Sequence, residues 1–361
     1  MGILGPFKYA AEYASIHARL GRLLSKNSWE DLLNASTLQT FAQRLTKTHY
    51  EDVIDYLNIE QANEKLDIGR LERGFRGHLA RASHQSLTFL SGTAKKLVEW
   101  RLRRFEVDNL KTILRAVERN IDPDETKRTL IPLEAISPIP WNNLAALGSV
   151  PDVVEQLQET FYGHALQPAM DKYHREDSLL VLEVRLDLTY YKKLLNIIRQ
   201  LRGKDRKEAV RLLGTMIDGQ NVLWAFRSRT YYDLSPEEIL NYSLLDGFNV
   251  HVDQIKTIAM GADLYAMTQE IWKDKIPGLE QLKGMPEKEA LSEFEQLLHR
   301  DQYRQAKAIR DSYAMHLGLV LSFDILLETE VHDLISIAEG ISIGLPRKEI
   351  RSYLIRDLDQ D

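Results

Sequence analysis

The 361-residue chain contains no cysteine. Disulfides and thiolate metal sites are therefore excluded, and the composition fits a reducing compartment. Long apolar runs are also missing. The richest, Leu317 to Leu327, is interrupted by Asp324 and falls far short of the ~20 residues that cross a bilayer. The opening residues, Met1 to Lys8, lack the apolar stretch of a signal peptide. Pro6 stands where a myristoylation signal needs Ser or Thr. The expectation is a protein that is soluble, or held at a membrane through another protein.

Catalytic signatures are absent as well. No Gly-x-x-x-x-Gly-Lys-Ser/Thr loop occurs, and no Gly-x-Gly-x-x-Gly follows a strand. Gly74 and Gly77 lie in a basic helical stretch and are expected to mark a turn or helix junction. No His-Glu-x-x-His occurs, and His78 and His84 are spaced poorly for one helical face. No nucleophile elbow is present. Asp218-Gly219 and Asp246-Gly247 lack alternating strands on either side, and their flanks read as helix ends. No catalytic, cofactor-binding or metal-binding residue is assigned, and no cofactor is expected.

What is present is helical. Hydrophobic residues make up 44% and charged residues 28%, enough for a sizeable core. Tyr9 to Leu24, Leu180 to Ile198 and Glu287 to Leu298 place apolar residues at helical spacing. Ser28, ahead of Trp29-Glu-Asp-Leu32-Leu33, is expected to cap a helix with an acidic first turn. The fold class is all-α.

A pattern recurs three times. It reads Glu106-Val-Asp-Asn109-Leu-Lys-Thr-Ile113, Asp218-Gly-Gln-Asn221-Val-Leu-Trp-Ala225 and Glu330-Val-His-Asp333-Leu-Ile-Ser-Ile337. A proline near acidic residues follows each one: Pro123, Pro236 and Pro346. Upstream stand further acids, Glu72, Glu183 and Glu295. Trp29, Leu32, Leu45 and Tyr50 are echoed in the same register by Trp141, Leu144, Leu157 and Tyr162. Tryptophan is scarce, five in all, which gives this echo weight. No equally good third copy is found between Tyr242 and Leu264. Prolines at 132, 138 and 140 mark a first linker, Ser235-Pro236 a second seam, and Pro277-Gly278 with Gly284-Met-Pro286 a loop. The expected units are 1–134, 135–235 and 236–361.

Within each pattern the acid and the Asn or Asp share one helical face. Two-metal carboxylate bundles use Glu-x-x-His, which these residues do not supply. A hydrogen-bonding role for Glu106, Asn109, Asp218, Asn221, Glu330 and Asp333, tying down a neighbouring helix end, stands beside contact with a partner.

Net charge is −6 but uneven: residues 1–120 carry 19 Lys and Arg against 14 Asp and Glu, and the remainder 28 against 39. An acidic chain is a poor general binder of nucleic acid. The positive half holds a basic tract from Arg70 to Arg104. Arg70, Arg73, Arg76 and Arg81 lie broadly along one side of a helix. They read either as a solvated face or as a docking surface for an acidic partner or anionic headgroups.

The three patterns and their order resemble the central-stalk C subunit of archaeal and bacterial A/V-type ATPases, the counterpart of the d subunit in eukaryotes. Tyr13-Ala-Ser-Ile-His-Ala-Arg19-Leu20, Glu183-Val-Arg-Leu-Asp187-Leu-Thr-Tyr190-Tyr191, Asn221 with Arg227, and Asp333 with Gly340 and Gly344 look like it too. The likeness runs from near residue 8 to near residue 353. Asp333, where Asn would suit, and Gly219, where the other copies have Val, depart from the pattern. The resemblance implies three helical bundles around a pseudo-threefold axis, forming a funnel without an active site. Such a part would join the central-shaft subunits to the membrane rotor ring, so that ATP hydrolysis or synthesis is linked to proton or sodium transport. It would be present in a single copy, cytoplasmic and peripheral to the membrane through the complex. An α-helical scaffold of solenoid type is the alternative, and a helical enzyme with a buried carboxylate site comes third.

Overall fold

The computed structural model describes residues 9–57, 66–312 and 315–358; Pro6 and the opening residues read above lie outside them. Among the described residues the secondary structure is helical, with one isolated bridge between Asp246 and His251. After α1 (Ala10–Leu20), one order of elements recurs: short helices, two long ones, then a short helix at a proline. The first round is α2 (Lys26–Leu33), α3 (Leu38–Leu45), α4 (Glu51–Leu57), long α5 (Ile68–Gln85) and α6 (Gly92–Glu118), then α7 (Pro123–Thr129). The second begins with α8 (Trp141–Leu144), α9 (Val150–Gln156), α10 (Phe161–Leu166) and α11 (Met170–Glu176). Long α12 (Leu180–Gln200) follows. Next α13 (Gly203–Ala209) continues through a π-helical turn, Val210–Gly214, into α14 (Thr215–Tyr232), and α15 (Pro236–Asn241) closes the round. The third is α16 (Val252–Ala259), α17 (Leu264–Trp272), long α18 (Glu287–Arg310) and α19 (Leu317–Ser342), and α20 (Arg347–Ser352).

Local chemistry explains the ends. Thr37, Ser149 and Asp263 cap α3, α9 and α17, each accepting from the amide three residues on. This satisfies one of the orphan donors of a helix start. The expected cap at Ser28 is corrected: Ser25 is the N-cap of α2, and the Ser28 amide donates to its hydroxyl at 3.2 Å. Lys26 and Asn27 already belong to the helix, so Ser28 falls inside the first turn. In all three rounds the long helix leads into the short one through a left-handed residue: Asn120, Asp233 and Gly344, at φ of 53°, 50° and 74°. Asn, Asp and Gly tolerate this conformation best.

Two expectations about glycine are overturned. Gly74 and Gly77 lie inside α5, not at a turn. A Cβ at Gly74 would stand 2.7 Å from Val53 Cγ1, and one at Gly77 would stand 2.6 Å from Pro132 Cγ. They let α4 and the chain after α7 press onto α5. Asp218 and Gly219 likewise lie within α14 rather than at a helix end.

The described residues fall into two compact units. One comprises the described parts of Ala11–Ser91, Val98–Tyr190 and Leu327–Asp361, and the other those of Met1–Ala10, Gly92–Leu97 and Tyr191–Leu326. The first buries Trp29, Trp141, Tyr50, Phe41 and Phe75. In the second, Phe226 of α14, Trp272 of α17 and Phe294 of α18 share a core. Each such side chain contributes about 1.5–3 kcal/mol on burial.

Candidate functional site

The repeated Asn is a clasp. A carboxamide offers a donor and an acceptor, as a backbone does. Asn109 Nδ2 donates to the Ile131 carbonyl at 2.9 Å, and its Oδ1 accepts from the Ile131 amide at 2.8 Å. Asn221 holds Leu244 the same way, with both bonds at 2.8 Å. Each clasp pins the chain leaving the short proline helix to the long helix before it. These bonds are buried, so they satisfy groups that would otherwise be costly.

Asp333 keeps the place and changes the chemistry. A carboxylate cannot donate, and here none is asked of it. Oδ1 accepts from the Ile355 amide at 2.8 Å, and Oδ2 accepts from Arg356 Nε at 2.8 Å. Both members of this ion pair are buried, and the guanidinium lies 3.9 Å from the Trp29 ring centroid. The departure from Asn is matched by an arginine that supplies the donor.

The acid three residues earlier holds a different segment. Glu106 Oε2 accepts from the Tyr162 hydroxyl at 2.5 Å and from Arg103 at 2.8 Å. Asp218 accepts from the Phe248 and Asn249 amides at 2.9 and 2.6 Å. Glu330 accepts from the Leu24 amide at 2.9 Å and the Tyr50 hydroxyl at 3.1 Å, with His49 Nε2 3.0 Å away. The three acids lie within long helices, and what they hold is the start of a round. Glu106 of the first round holds the second, Asp218 of the second holds the third, and Glu330 of the third holds the first. Burial raises the Asp218 carboxyl above its ordinary value despite its amide donors. The Tyr162 phenol is driven up by burial and then by Glu106.

A third relation escapes sequence reasoning. Arg115 makes two bonds to Glu183, at 2.5 and 2.7 Å, and Arg227 reaches Glu295 at 2.7 Å. Each arginine lies six residues after the repeated Asn, a register visible in the sequence. The third copy breaks here. Glu339 occupies the arginine position, and Glu72 pairs instead with Arg76 at 2.8 Å. Tyr50 and Tyr162 stand out in the sequence by their shared register, but nothing there ties them to the acids.

The basic tract separates into two places. Arg70, Arg73 and Arg76 line a groove of about 730 Å³ beside α6 and α7, together with Lys111, Arg115 and Arg128. Asp67, Glu72, Asp108 and Glu125 line it too, leaving an excess of cations. Arg70 donates to the Leu57 carbonyl at 3.0 Å and Arg73 to the Leu130 carbonyl at 2.8 Å. Burial raises the Asp108 carboxyl, against the pull of Arg76, Arg104 and Lys111. Arg81 is not among the groove residues and donates to Asp52 at 2.8 Å. Among the described residues no group of three or more His, Asp or Glu is arranged to hold a metal ion, and no helix is long and apolar enough to cross a membrane.

These clasps sit inside a known sequence pattern. The model of the ATP synthase (C/AC39) subunit family matches residues 13–353. The chain belongs to that family. The A-type ATP synthase C subunit of Methanocaldococcus jannaschii is 24% identical over 351 residues, spanning 96% of this chain and 86% of the relative. That of Halobacterium salinarum is 25% identical over 360 residues, covering 98% and 99%, and that of Methanosarcina mazei 23% over 351 residues, covering 97% and 94%. As a member of the C/AC39 family the chain is a structural subunit and not itself catalytic.

Proposed function

We propose that this C/AC39-family chain is the rotor component that couples the central shaft of an A/V-type ATPase to the membrane rotor ring. Through it, ATP hydrolysis or synthesis is linked to proton or sodium transport. The observation that carries the reading is the family match across residues 13–353, joined to the cyclic order of the clasps. Three units, 1–134, 135–235 and 236–361, would then surround a pseudo-threefold axis as a funnel. The bonds from Glu330 back to Leu24 and Tyr50 support closure over an open solenoid stack, whose last unit has no need of the first. Buried clasps at every junction suit a part that must transmit torque without yielding.

In this reading one copy sits on the cytoplasmic side, peripheral to the membrane through the complex. The groove with Arg70, Arg73 and Arg76, and Arg81 beyond it, helps to seat the protein on acidic partner surfaces. The test is affinity purification of the tagged chain from solubilised membranes, with the co-purifying proteins identified. Recovery of ring and shaft subunits in stable proportion is the expected result; recovery of neither would overturn the proposal. Small-angle scattering of the purified chain separates a compact funnel from an extended arc.

A further inference from the structure

The clasp at Glu330 differs from the other two in having an imidazole nitrogen 3.0 Å from its carboxylate. In the second round the residue before the clasping tyrosine is Phe161; in the first round it is His49. Glu330 is fully buried, and His49 Nε2 stands 3.0 Å from its Oε1, with the imidazole largely covered. His49 lies 5.4 Å, ring to ring, from His78, and Tyr50 packs against both at 4.2 and 4.6 Å. His78 Nδ1 is 2.9 Å from Asp52 Oδ1, and Arg81 holds the other oxygen of Asp52 at 2.8 Å. A line of packed groups thus runs from buried Glu330 through two imidazoles in ring contact to Asp52 and Arg81 near the surface.

We propose that this seam is a proton-operated latch: protonation of the His49–His78 pair tightens the hold of Glu330 on the first round, and its loss loosens that hold.

Charge counting gives the direction. The line contains two carboxylates, Glu330 and Asp52, one guanidinium, Arg81, and two imidazoles. It is neutral when the two rings share one proton. The other charges nearby are already matched. Arg356, from the segment after α20, pairs with Asp333 on α19, and His332 Nδ1 lies 3.7 Å from the same carboxylate. Glu328, on α19, faces Arg101 and Arg104 of α6. Imidazole is the side chain whose charge ordinarily changes between pH 5 and 8. Without an imidazolium on the line, the Glu330 carboxylate keeps only the neutral donors Leu24 N–H and Tyr50 O–H. A buried carboxylate is held far less well by neutral donors than by a cation. The clasp at Glu106 has Arg103 in place of such a ring, and the clasp at Asn109 is uncharged. The reading stands on this geometry and does not depend on the rotor assignment.

The test is amide hydrogen exchange on the intact chain, corrected for intrinsic rates, at pH 6 and pH 8.5. The Leu24 amide reports directly, because it donates to Glu330. In the wild type its protection is expected to fall by at least about tenfold at the higher pH, the scale of one charge-assisted bond. Protection of the Ile131 amide, held by Asn109, is expected to stay constant. In His49→Phe, which installs the second-round residue, and in His49→Gln, which keeps a neutral donor, the Leu24 fall should vanish. Either variant suffices if the other does not fold. Constant Leu24 protection in the wild type, an equal fall at Ile131, or an unchanged fall in the variants would each overturn the proposal.

Discussion

At the scale of single residues, the repeated position shows how one geometric task is met by two chemistries. Asn109 and Asn221 present a donor and an acceptor to one peptide unit, whereas Asp333 presents two acceptors to an amide and a guanidinium. Asn221→Ala leaves the Leu244 N–H and C=O without their side-chain partner. It should lower stability by about 1–3 kcal/mol in all, read as a shift in urea midpoint. Asp333→Asn takes the carboxylate from a buried guanidinium and should cost more, about 3–5 kcal/mol. The double change Asp333→Asn with Arg356→Leu should recover part of that loss. Equal losses for all three proteins would argue against the clasp chemistry. Asp218 gives a test in pH. Burial raises its folded-state carboxyl above the unfolded value of about 3.9. A raised acid favours folding below the unfolded value, and that advantage is lost as pH rises through the folded value. Wild type should therefore lose stability relative to Asp218→Asn between pH 4 and neutrality, and urea midpoints at pH 4 and pH 7 would show it.

At the scale of elements, the glycines decide how closely helices approach. Replacing a helical glycine by alanine ordinarily gains about 0.5–1 kcal/mol. Gly77→Ala should do the reverse, because its Cβ would stand 2.6 Å from Pro132 Cγ and a proline ring cannot rotate away. A loss of about 1–3 kcal/mol is the scale for overpacking. Gly219→Ala meets Leu298 Cδ1 at 2.5 Å, a flexible end, and should cost less. Melting temperatures of the two variants give the order, and a Gly77→Ala protein at least as stable as wild type would contradict it. Corners matter similarly. Asn120, Asp233 and Gly344 turn the chain through the left-handed region before each proline helix, so the short helix returns along its long neighbour and reaches the clasp.

At the scale of the whole molecule, charge is distributed unequally among rounds that are otherwise alike. The cationic groove belongs to the first round, and the second does not carry the same arginines: Val181, Val184 and Asp187 stand in register with Arg70, Arg73 and Arg76 when Glu183 is aligned with Glu72. Replacing Arg70, Arg73, Arg76 and Arg81 together by Ala should weaken reconstitution with ring and shaft, most strongly at low ionic strength, where screening is least. No single arginine should be decisive, since exposed pairs contribute about 0–1 kcal/mol each. Arg70 and Arg73 also hold backbone carbonyls, so the melting temperature of the variant must be followed alongside. Binding equal to wild type at both salt concentrations would return the tract to an ordinary solvated surface.

Legible in the sequence alone are the helical class, α12 and the first half of α18, the recurrence of Glu/Asp-x-x-Asn/Asp and the shared register of Trp29 and Tyr50 with Trp141 and Tyr162. Each of these rests on spacing within a few turns of helix, where apolar period, caps and proline act locally. What the repeated residues hold is set by packing between segments far apart in the chain. The partner of Asn109 lies 22 residues on, that of Glu106 lies 56 on, and that of Glu330 lies 280 back; no local pattern records such pairings. That Ser25 rather than Ser28 caps α2 is likewise settled by the fold, because the cap depends on where the chain enters the helix. In the sequence Gly77 reads as a turn or helix junction and Gly219 as lying at a helix end. Their neighbours show them to be points of close contact, since the lack of a side chain matters only against the side chain that fills the space.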